Sequence, residues 1–87
     1  MRLEFKERAF EDLRYWVSHD SKMSKKIMRL IEESKKAPFS GIGKPEPLRG
    51  NLTGWWSKRI DQEHRLIYKV EADKLIIAQA RGHYGDK

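Results

Sequence analysis

The fold is decided by residues 55–81, WWSKRIDQEHRLIYKVEADKLIIAQAR. Three runs of apolar and β-branched residues in this stretch are separated by short polar turns, a pattern typical of antiparallel strands joined by hairpins. The predicted strands are Trp55–Ile60, Arg65–Val70 and Leu75–Arg81, with turns at 61–64 and 71–74. We therefore expect an antiparallel meander at the centre of the domain.

Side chains alternate between the two faces of a strand, so each predicted strand has two sets of residues. In the second strand the two sets are Leu66, Tyr68, Val70 and Arg65, Ile67, Lys69. In the third strand they are Ile77, Gln79, Arg81, with His83 if the strand extends, and Ile76, Ala78, Ala80. We expect helices to cover one face of this sheet and basic groups to lie on the other.

The residues before the meander predict one more strand and two helices. Arg2–Phe5 alternates polar and apolar residues, and apolar residues then recur at helical spacing over roughly residues 7–18. A second apolar stripe consists of Met23, Ile27, Leu30 and Ile31. Asp20 or Ser21 is expected to cap this second helix, and Pro38 to end it.

These elements predict a small single α+β domain that spans residues 1–87, in which a two-helix hairpin packs on a twisted antiparallel sheet. Residues 40–54, SGIGKPEPLRGNLTG, carry four of the six glycines and two of the three prolines. Such a composition suits a linker, but it equally suits an ordered loop that is pressed against a site. Residues 85–87 are expected to form a loose tail.

The composition excludes some chemistry and favours an anionic partner. The 87 residues include no cysteine, which excludes disulfides and thiolate metal sites. The three histidines are scattered, so we expect no metal site and no cofactor. A net charge of +6 favours nucleic acid first, an acidic protein second and an anionic membrane third. The charged first residues and the lack of a long apolar run predict a soluble, cytoplasmic protein.

Residues that could perform chemistry remain in the glycine-rich stretch and the meander: Glu46, Arg49, Arg59, Arg65, Arg81, His83 and Tyr84. A carboxylate, an imidazole and several guanidinium groups can cleave RNA without a metal, because the substrate supplies its own 2′-hydroxyl nucleophile. Glutamate can act as the base and histidine as the acid. Arginine suits the phosphate, since its fork bonds two oxygens and stays charged.

Ordinary structural interpretations of the same residues stay open at this point. A glutamate between two prolines is usually a solvated loop residue, and a histidine at a strand end usually belongs to the surface. The arginines could form a solvated face of the sheet. From residue types alone, no one of these positions decides between the two interpretations.

Taken together, however, these motifs resemble a known family. Residues 38–70, PFSGIGKPEPLRGNLTGWWSKRIDQEHRLIYKV, and the later GHY at 82–84 are similar to the YoeB toxins of the RelE/ParE superfamily. The resemblance runs from the first predicted strand to Tyr84. It implies a RelE-like fold and a ribosome-associated mRNA endonuclease that belongs to a bacterial toxin–antitoxin pair.

The resemblance also implies roles for four catalytic residues. Glu46 matches the general base of the family and His83 its general acid. Arg65 matches the arginine that stabilises the charged phosphate, and Tyr84 matches the tyrosine that orients the substrate. We expect these four side chains to form one site, with no metal and no cofactor.

Four basic residues are expected to bind the RNA: Arg49, Lys58, Arg59 and Arg81. Arg49 stands where the family frequently has a lysine, so the charge is kept but the shape of the contact differs. Lys58 and Arg59 stand where two arginines are common, which makes Arg59 the better-matched phosphate ligand.

The implied partners are a YefM-like antitoxin with an acidic tail, mRNA in the ribosomal A site together with ribosomal RNA, and a second copy of the chain in a homodimer. No membrane partner is expected. Two rival functions remain: a non-catalytic, ParE-like inhibitor of DNA gyrase on the same fold, and a plain RNA-binding module. Neither rival needs Glu46 together with the histidine and tyrosine of GHY.

Overall fold

The computed structural model describes residues 1–83. Its elements in chain order are β1 (Arg2–Phe5), α1 (Glu7–His19), α2 (Ser21–Lys36), β2 (Glu46–Pro47), β3 (Trp56–Arg59), β4 (Arg65–Glu71) and β5 (Lys74–Gln79). A short 3₁₀ helix at Gly50–Leu52 lies between β2 and β3. The predicted helices and strands are all present, and β2 is an element that the sequence pattern did not predict.

The five strands form one mixed sheet in the order β1-β5-β4-β3-β2. The meander β3-β4-β5 is antiparallel, as predicted, and β2 adds to its edge in the same sense. The first strand instead pairs with β5 in parallel. The α+β class with two helices packed on a sheet is confirmed, but the sheet is mixed and not wholly antiparallel as predicted, because β1 pairs with β5 in parallel.

The two helices are joined through Asp20 alone. Its backbone N–H donates to Trp16 O at 2.8 Å at the end of α1. Its carboxylate accepts a bond of 3.4 Å from the N–H of Met23 in the first turn of α2, as an N-cap residue does. The capping prediction for Asp20 is therefore confirmed. The helix ends at Lys36, two residues before Pro38.

The core lies between the helices and one face of the sheet. The buried residues that form it are Ala9, Trp16, Ile27, Leu30, Ile31, Ile60, Leu66, Tyr68, Leu75, Ile77 and Ala80. Two polar contacts fix α1 to the chain after β5: Trp16 Nε1 donates to Ala80 O at 2.9 Å, and the buried Asp12 carboxylate accepts from the Ala80 N–H at 2.9 Å. Both contacts satisfy buried backbone groups that would otherwise lose hydrogen bonds.

A one-residue irregularity in β5 corrects the predicted faces of this strand. Ile67 pairs with Gln79 but the next residue, Tyr68, pairs with Ile77, so Ala78 has no partner opposite it. This is the two-against-one pattern of a β-bulge. As a result Ile77 and Ala80 both face the core, whereas strict alternation had placed them on opposite faces. The strand also ends at Gln79 instead of Arg81.

The glycine-rich stretch is an ordered loop and not a linker. Gly43 O accepts from the Arg59 N–H at 2.6 Å, and Leu48, which is buried, donates its N–H to Trp55 O at 2.9 Å. Gly43 has φ +90°, and a Cβ there would lie 3.1 Å from the Lys58 Cβ and 3.2 Å from Arg59 O. Only glycine fits this close approach of the loop to β3.

Candidate active site

The face of the sheet opposite the helices, here called the open face, carries the candidate site. One row across it consists of Glu46, Ser57, Ile67 and Gln79, which are successive cross-strand partners in β2, β3, β4 and β5. Side chains opposite each other in paired strands share a face and lie about 4.5–5.5 Å apart at Cβ. The register therefore places Glu46 on the same face of the sheet as Ser57, Ile67 and Gln79 of the meander.

Glu46 is held by the two-residue strand β2 at the edge of the sheet. Pro47 restricts the backbone of Glu46, the residue before it, to extended conformations, and the edge position tolerates a proline because no ladder donor is lost there. The Glu46 side chain is exposed. A groove of about 670 Å³ runs along residues 46–50 and includes Arg49, which is also exposed.

Arg59 and Arg65 lie directly opposite each other in β3 and β4. Like charges at directly opposed positions destabilise a sheet. Among residues 1–83, neither guanidinium forms an ion pair with a carboxylate. The two residues flank the Ser57–Ile67 pair of the Glu46 row, so this pair of unneutralised cations lies on the same face as the carboxylate.

The turn before β4 fixes the guanidinium of Arg65. Its Nη1 donates to Asp61 O at 2.8 Å, to His64 O at 3.1 Å and to Gln62 O at 3.2 Å. The Asp61 carboxylate in turn accepts from the N–H groups of Glu63 and His64. Partial burial alone would raise the pKa of Asp61, but these two N–H donors outweigh it and the pKa is lowered. All three bonds use Nη1, so Nε and Nη2 keep their donors for an anion.

His83 follows β5 and is exposed, with its main chain held by Gln79. Gln79 Nε2 donates to His83 O at 2.6 Å and to Arg81 O at 3.0 Å. Gly82 between them is held twice: its N–H donates to His64 Nδ1 at 2.8 Å, and its carbonyl accepts from the Arg65 N–H at 2.9 Å. The segment that carries His83 is therefore attached to the same end of β4 as Arg65.

Three of the four predicted catalytic residues can be located relative to one another through the sheet register and the backbone hydrogen bonds. Arg65 and the residue before His83 share a backbone hydrogen bond, and Glu46 lies on the same open face as Arg65. Tyr84 lies outside the described residues, as do residues 85–87 and the prediction that they form a loose tail.

Lys58 is a correction to the predicted RNA-binding set. Its side chain is fully buried on the core face of β3, with Nζ 3.5 Å from Ala37 O and 5.8 Å from the ring centroid of Tyr68. Burial lowers the pKa of its ammonium, and the charge of Glu33 opposes this shift. A buried side chain cannot reach RNA on the open face. The neighbouring Arg59 is exposed, because alternation puts it on the other side.

Arg81 also lies elsewhere than predicted. Its guanidinium carbon is 3.6 Å from the ring centroid of Tyr15 in α1, a cation–π contact on the helix side of the molecule. Arg8 of the same helix donates to Arg81 O at 2.8 Å. Since β5 ends at Gln79, the alternation that predicted Arg81 on the open face no longer applies to it. Its position argues against a direct contact with RNA on the open face.

Sequence reasoning missed His64 and Gln79. Both contact the segment that carries His83, and neither looked functional because a lone histidine and a lone glutamine have no motif of their own. The sequence held one signal for His64: it stands next to the predicted catalytic Arg65, between a turn and the start of a strand.

Residues 1–83 have the features of neither a metal centre nor a membrane-spanning helix. Within this range, no group of three or more histidine, cysteine, aspartate or glutamate side chains is arranged to hold a metal ion. In the same part of the chain, no helix has the length and apolar character needed to cross a membrane.

The fold and the open face define a small α+β protein with a carboxylate and paired arginines on one face of its sheet, and an exposed histidine in the segment bonded to the start of β4. Residues 5–84 match the family model described as "YoeB-like toxin of bacterial type II toxin-antitoxin system". A YoeB toxin of Streptomyces coelicolor is 51% identical over 84 residues, which cover 97% of this chain and 100% of that protein. The chain belongs to the YoeB-like toxins of type II toxin–antitoxin systems.

Solved structures of this family have the same fold. A YoeB/ParE toxin from Agrobacterium tumefaciens superposes with a TM-score of 0.94 at 42% identity, covering 97% of this chain and 100% of that one. YoeB of Staphylococcus aureus, described as a dimer, has a TM-score of 0.89 at 44% identity, covering 97% and 98%. The same toxin in a heterotetrameric YoeB–YefM complex has a TM-score of 0.88 at the same identity and coverage.

Proposed function

We propose that this YoeB-like toxin is a ribosome-dependent mRNA endonuclease whose active site is the open face of the sheet. The observation that carries the proposal is the pair Arg59–Arg65. Two cations directly opposite each other, without a carboxylate partner among residues 1–83, form a site whose repulsion a bound phosphate would relieve. Glu46 on the same face supplies the base that RNA cleavage needs.

The proposed reaction is an internal transfer of the phosphate. Glu46 removes the proton from a 2′-hydroxyl, and the 2′-oxygen forms a bond to the adjacent phosphorus. The bond from phosphorus to the 5′-oxygen breaks, and His83 gives its proton to that oxygen. The products are a 2′,3′-cyclic phosphate, or the 3′-phosphate after hydrolysis, and a 5′-hydroxyl. Each positioned acid or base contributes about 10²–10⁴-fold to the rate.

The remaining side chains hold the substrate. Arg65, with Nη1 fixed to the 61–64 turn, presents its other nitrogens to the phosphate as charge develops. Arg59 binds the same or the adjacent phosphate, and Arg49 binds RNA in the groove beside Glu46. Tyr84 orients the substrate. Neither a metal ion nor a cofactor takes part in this mechanism.

The proposed partners follow from the relatives and from the charge. The S. aureus toxin has been solved as a dimer and in complex with YefM, which supports a homodimer and a YefM-like antitoxin for this chain. The net charge of +6 suits both ribosomal RNA and an acidic antitoxin tail. We place the protein in the cytoplasm with its substrate, mRNA in the ribosomal A site, and not at a membrane.

Translation in a purified system tests the function. We expect Glu46→Gln and His83→Gln each to abolish cleavage of ribosome-bound mRNA while thermal unfolding stays unchanged, since both side chains are exposed. Glu11→Gln and His19→Gln are matched controls on the exposed surface of α1 and should cleave normally. Full cleavage by both site variants would refute the assignment.

The two rival functions predict other outcomes. A ParE-like gyrase inhibitor would induce a DNA-damage response in cells without loss of mRNA, and Glu46→Gln would stay toxic. A plain RNA-binding module would bind without toxicity, with an affinity that falls with salt at a slope of about −0.7 per phosphate contacted. Either result in place of mRNA loss would replace the endonuclease proposal.

A further inference from the structure

His64 is the one described histidine that is both largely buried and directly bonded to the segment carrying His83. Its side chain is 14% exposed, and its ring packs edge-on against Trp16 with centroids 4.8 Å apart. Its backbone closes the turn before β4, since His64 O accepts from the Ile60 N–H at 2.9 Å. The ring of His64 is therefore held by its contact with Trp16, and its backbone is held by the hydrogen bond of the turn.

The hydrogen bond from Gly82 determines which nitrogen of His64 carries the proton. The Gly82 N–H points at Nδ1 over 2.8 Å, so Nδ1 must offer a lone pair and the proton of the neutral ring lies on Nε2. Nε2 lies 3.7 Å from Glu63 Oε1, an acceptor on the side where that proton is expected. Nδ1 thus faces a donor, the Gly82 N–H, and Nε2 faces an acceptor, the Glu63 carboxylate.

Both the N–H and the carbonyl of Gly82 are bonded by consecutive residues, His64 just before β4 and Arg65 at its start. His64 accepts its N–H, and the Arg65 N–H donates to its carbonyl at 2.9 Å. Gly82 has φ +82°, a conformation that glycine adopts without strain and that turns the chain sharply. The next carbonyl, His83 O, is bonded by Gln79 Nε2. His83 is therefore preceded by a residue whose backbone is fixed by the imidazole of His64.

We propose that His64 is a positioning residue for His83: its Nδ1 holds the Gly82 peptide, and through it sets where the imidazole of His83 stands relative to Arg65. This inference rests on the proposed role of His83 as the general acid. Its physical basis is that proton transfer to the leaving oxygen requires an acid within hydrogen-bond reach, and a shift of about 1 Å in such a group can cost on the order of 10²-fold in rate.

The same contacts would serve a purely structural role if His64 only filled space beside Trp16. Two substitutions separate the ring from the acceptor. His64→Phe keeps an aromatic ring against Trp16 but has no atom to accept the Gly82 N–H. His64→Asn loses the ring but keeps an acceptor, because Oδ1 of asparagine is bonded to Cγ as Nδ1 of histidine is. If His64 positions His83, His64→Phe should lose activity and His64→Asn should keep most of it. If His64 only packs against Trp16, the opposite is expected.

The test measures kcat and KM for cleavage of ribosome-bound mRNA by the purified full-length toxin. For His64→Phe we expect kcat to fall about 10- to 100-fold with little change in KM, because substrate binding does not use this residue. His64→Asn should recover most of that loss in kcat. The matched control His19→Phe, in which the ring stacks on Tyr15 in α1 and does not accept the Gly82 N–H, should behave like the original chain.

A double variant separates this inference from the proposed function. If His64 acts through His83, then the trace cleavage that His83→Gln retains at high toxin concentration should not be lowered further by His64→Phe. Cleavage by His83→Gln at the rate of the original chain refutes the general-acid role itself. If His83→Gln loses cleavage, the general-acid role stands. The positioning role alone is then overturned by either of two results: an unchanged kcat in His64→Phe, or a loss of kcat in His64→Asn as large as that in His64→Phe.

A measurement on the unchanged protein does not depend on how any variant folds. Nitrogen-15 NMR should show His64 with the proton on Nε2, and a coupling through the hydrogen bond between the Gly82 amide nitrogen and Nδ1. A proton found on Nδ1 near neutral pH would contradict the proposed contact, since the Gly82 N–H would then face another donor.

Discussion

The two faces of the sheet are built from the same strands but differ in almost every physical property. In β3, Lys58 faces the helices and is fully buried, whereas Arg59, the next residue, is exposed beside Arg65. In β4, Leu66 belongs to the core while Arg65 lies on the open face. Lys58 and Arg59 are neighbours with the same charge, yet their surroundings are opposite. Which basic side chain can reach a substrate therefore depends more on its face of the sheet than on its residue type.

The comparison predicts that changes on the open face alter activity and leave stability alone. Apart from the proposed acid and base, the largest effect is expected for Arg59→Gln, which should lower kcat/KM for mRNA cleavage by about 10²- to 10³-fold, since one donor to the bound phosphate is removed. Thermal unfolding should stay the same or rise slightly, because the repulsion from Arg65 is relieved. A fall in stability without a fall in kcat/KM would show that Arg59 belongs to the structural side of the comparison.

The opposite result is expected one residue away from Arg65. Leu66→Ala leaves a cavity in the core beneath β4 and should lower the free energy of unfolding by about 2–5 kcal/mol. Chemical denaturation followed by circular dichroism measures this change. At temperatures where the variant is still folded, kcat per folded molecule should stay close to normal, and a large drop would show that the two faces are coupled.

Lys58 gives the sharpest distinction between the faces, because it was predicted to bind RNA. Lys58→Met should cleave mRNA normally and raise the free energy of unfolding at pH 7 by about 1 kcal/mol, since an ammonium no longer has to be buried. A reduced kcat in this variant would restore Lys58 to the RNA-binding set.

Burial of the Lys58 ammonium should also make the stability of the protein increase with pH. The pKa of Lys58 is lower in the folded protein than its ordinary value of 10.5, so the unfolded chain binds the extra proton. Stability of the original chain should therefore increase, relative to Lys58→Met, as pH rises from the folded-state pKa toward 10.5. Denaturation curves of the two proteins at pH 7, 9 and 10 test this difference, and parallel pH profiles would contradict it.

The smallest effect is expected for a residue on neither face. Asp20→Ala removes the N-cap of α2, whose bond to the Met23 N–H is 3.4 Å long, and should cost about 0.5–1 kcal/mol of stability. Cleavage should not change. This variant calibrates the assays, because a loss of activity here would mean that modest destabilisation alone affects the cleavage measurement.

The sequence was sufficient for what depends on local patterns. Helical spacing, the Asp20 cap and the polar turns are encoded within a few residues, and the two helices and the meander lie where these signals indicate. The resemblance also identified the family. What local patterns could not supply is cross-strand information: the two residues of β2 are too few to show a period, and they form a strand only because Ser57 lies opposite Glu46.

Lys58 and Arg81 lie away from the open face for related reasons. Both residues were judged by charge, yet the face of Lys58 is set by its pairing in β3, and the position of Arg81 by the end of β5 and the ring of Tyr15. The bulge at Ala78 shifts the alternation by one residue, which no count along a single strand reveals. His64 was missed because its partner, Gly82, is 18 residues away in the chain.

The contacts between α1 and the end of β5 have a consequence for the time course of folding. The bonds that Arg8, Asp12 and Trp16 make to residues 80 and 81 span 64 to 73 positions of the chain. Contacts this distant form late, because a long loop must close before they stabilise anything. A growing polypeptide that has not yet released residues 74–82 has neither a partner for β1 nor a clamped Gly82, so the toxin acquires its working surface only as a late event in its own synthesis.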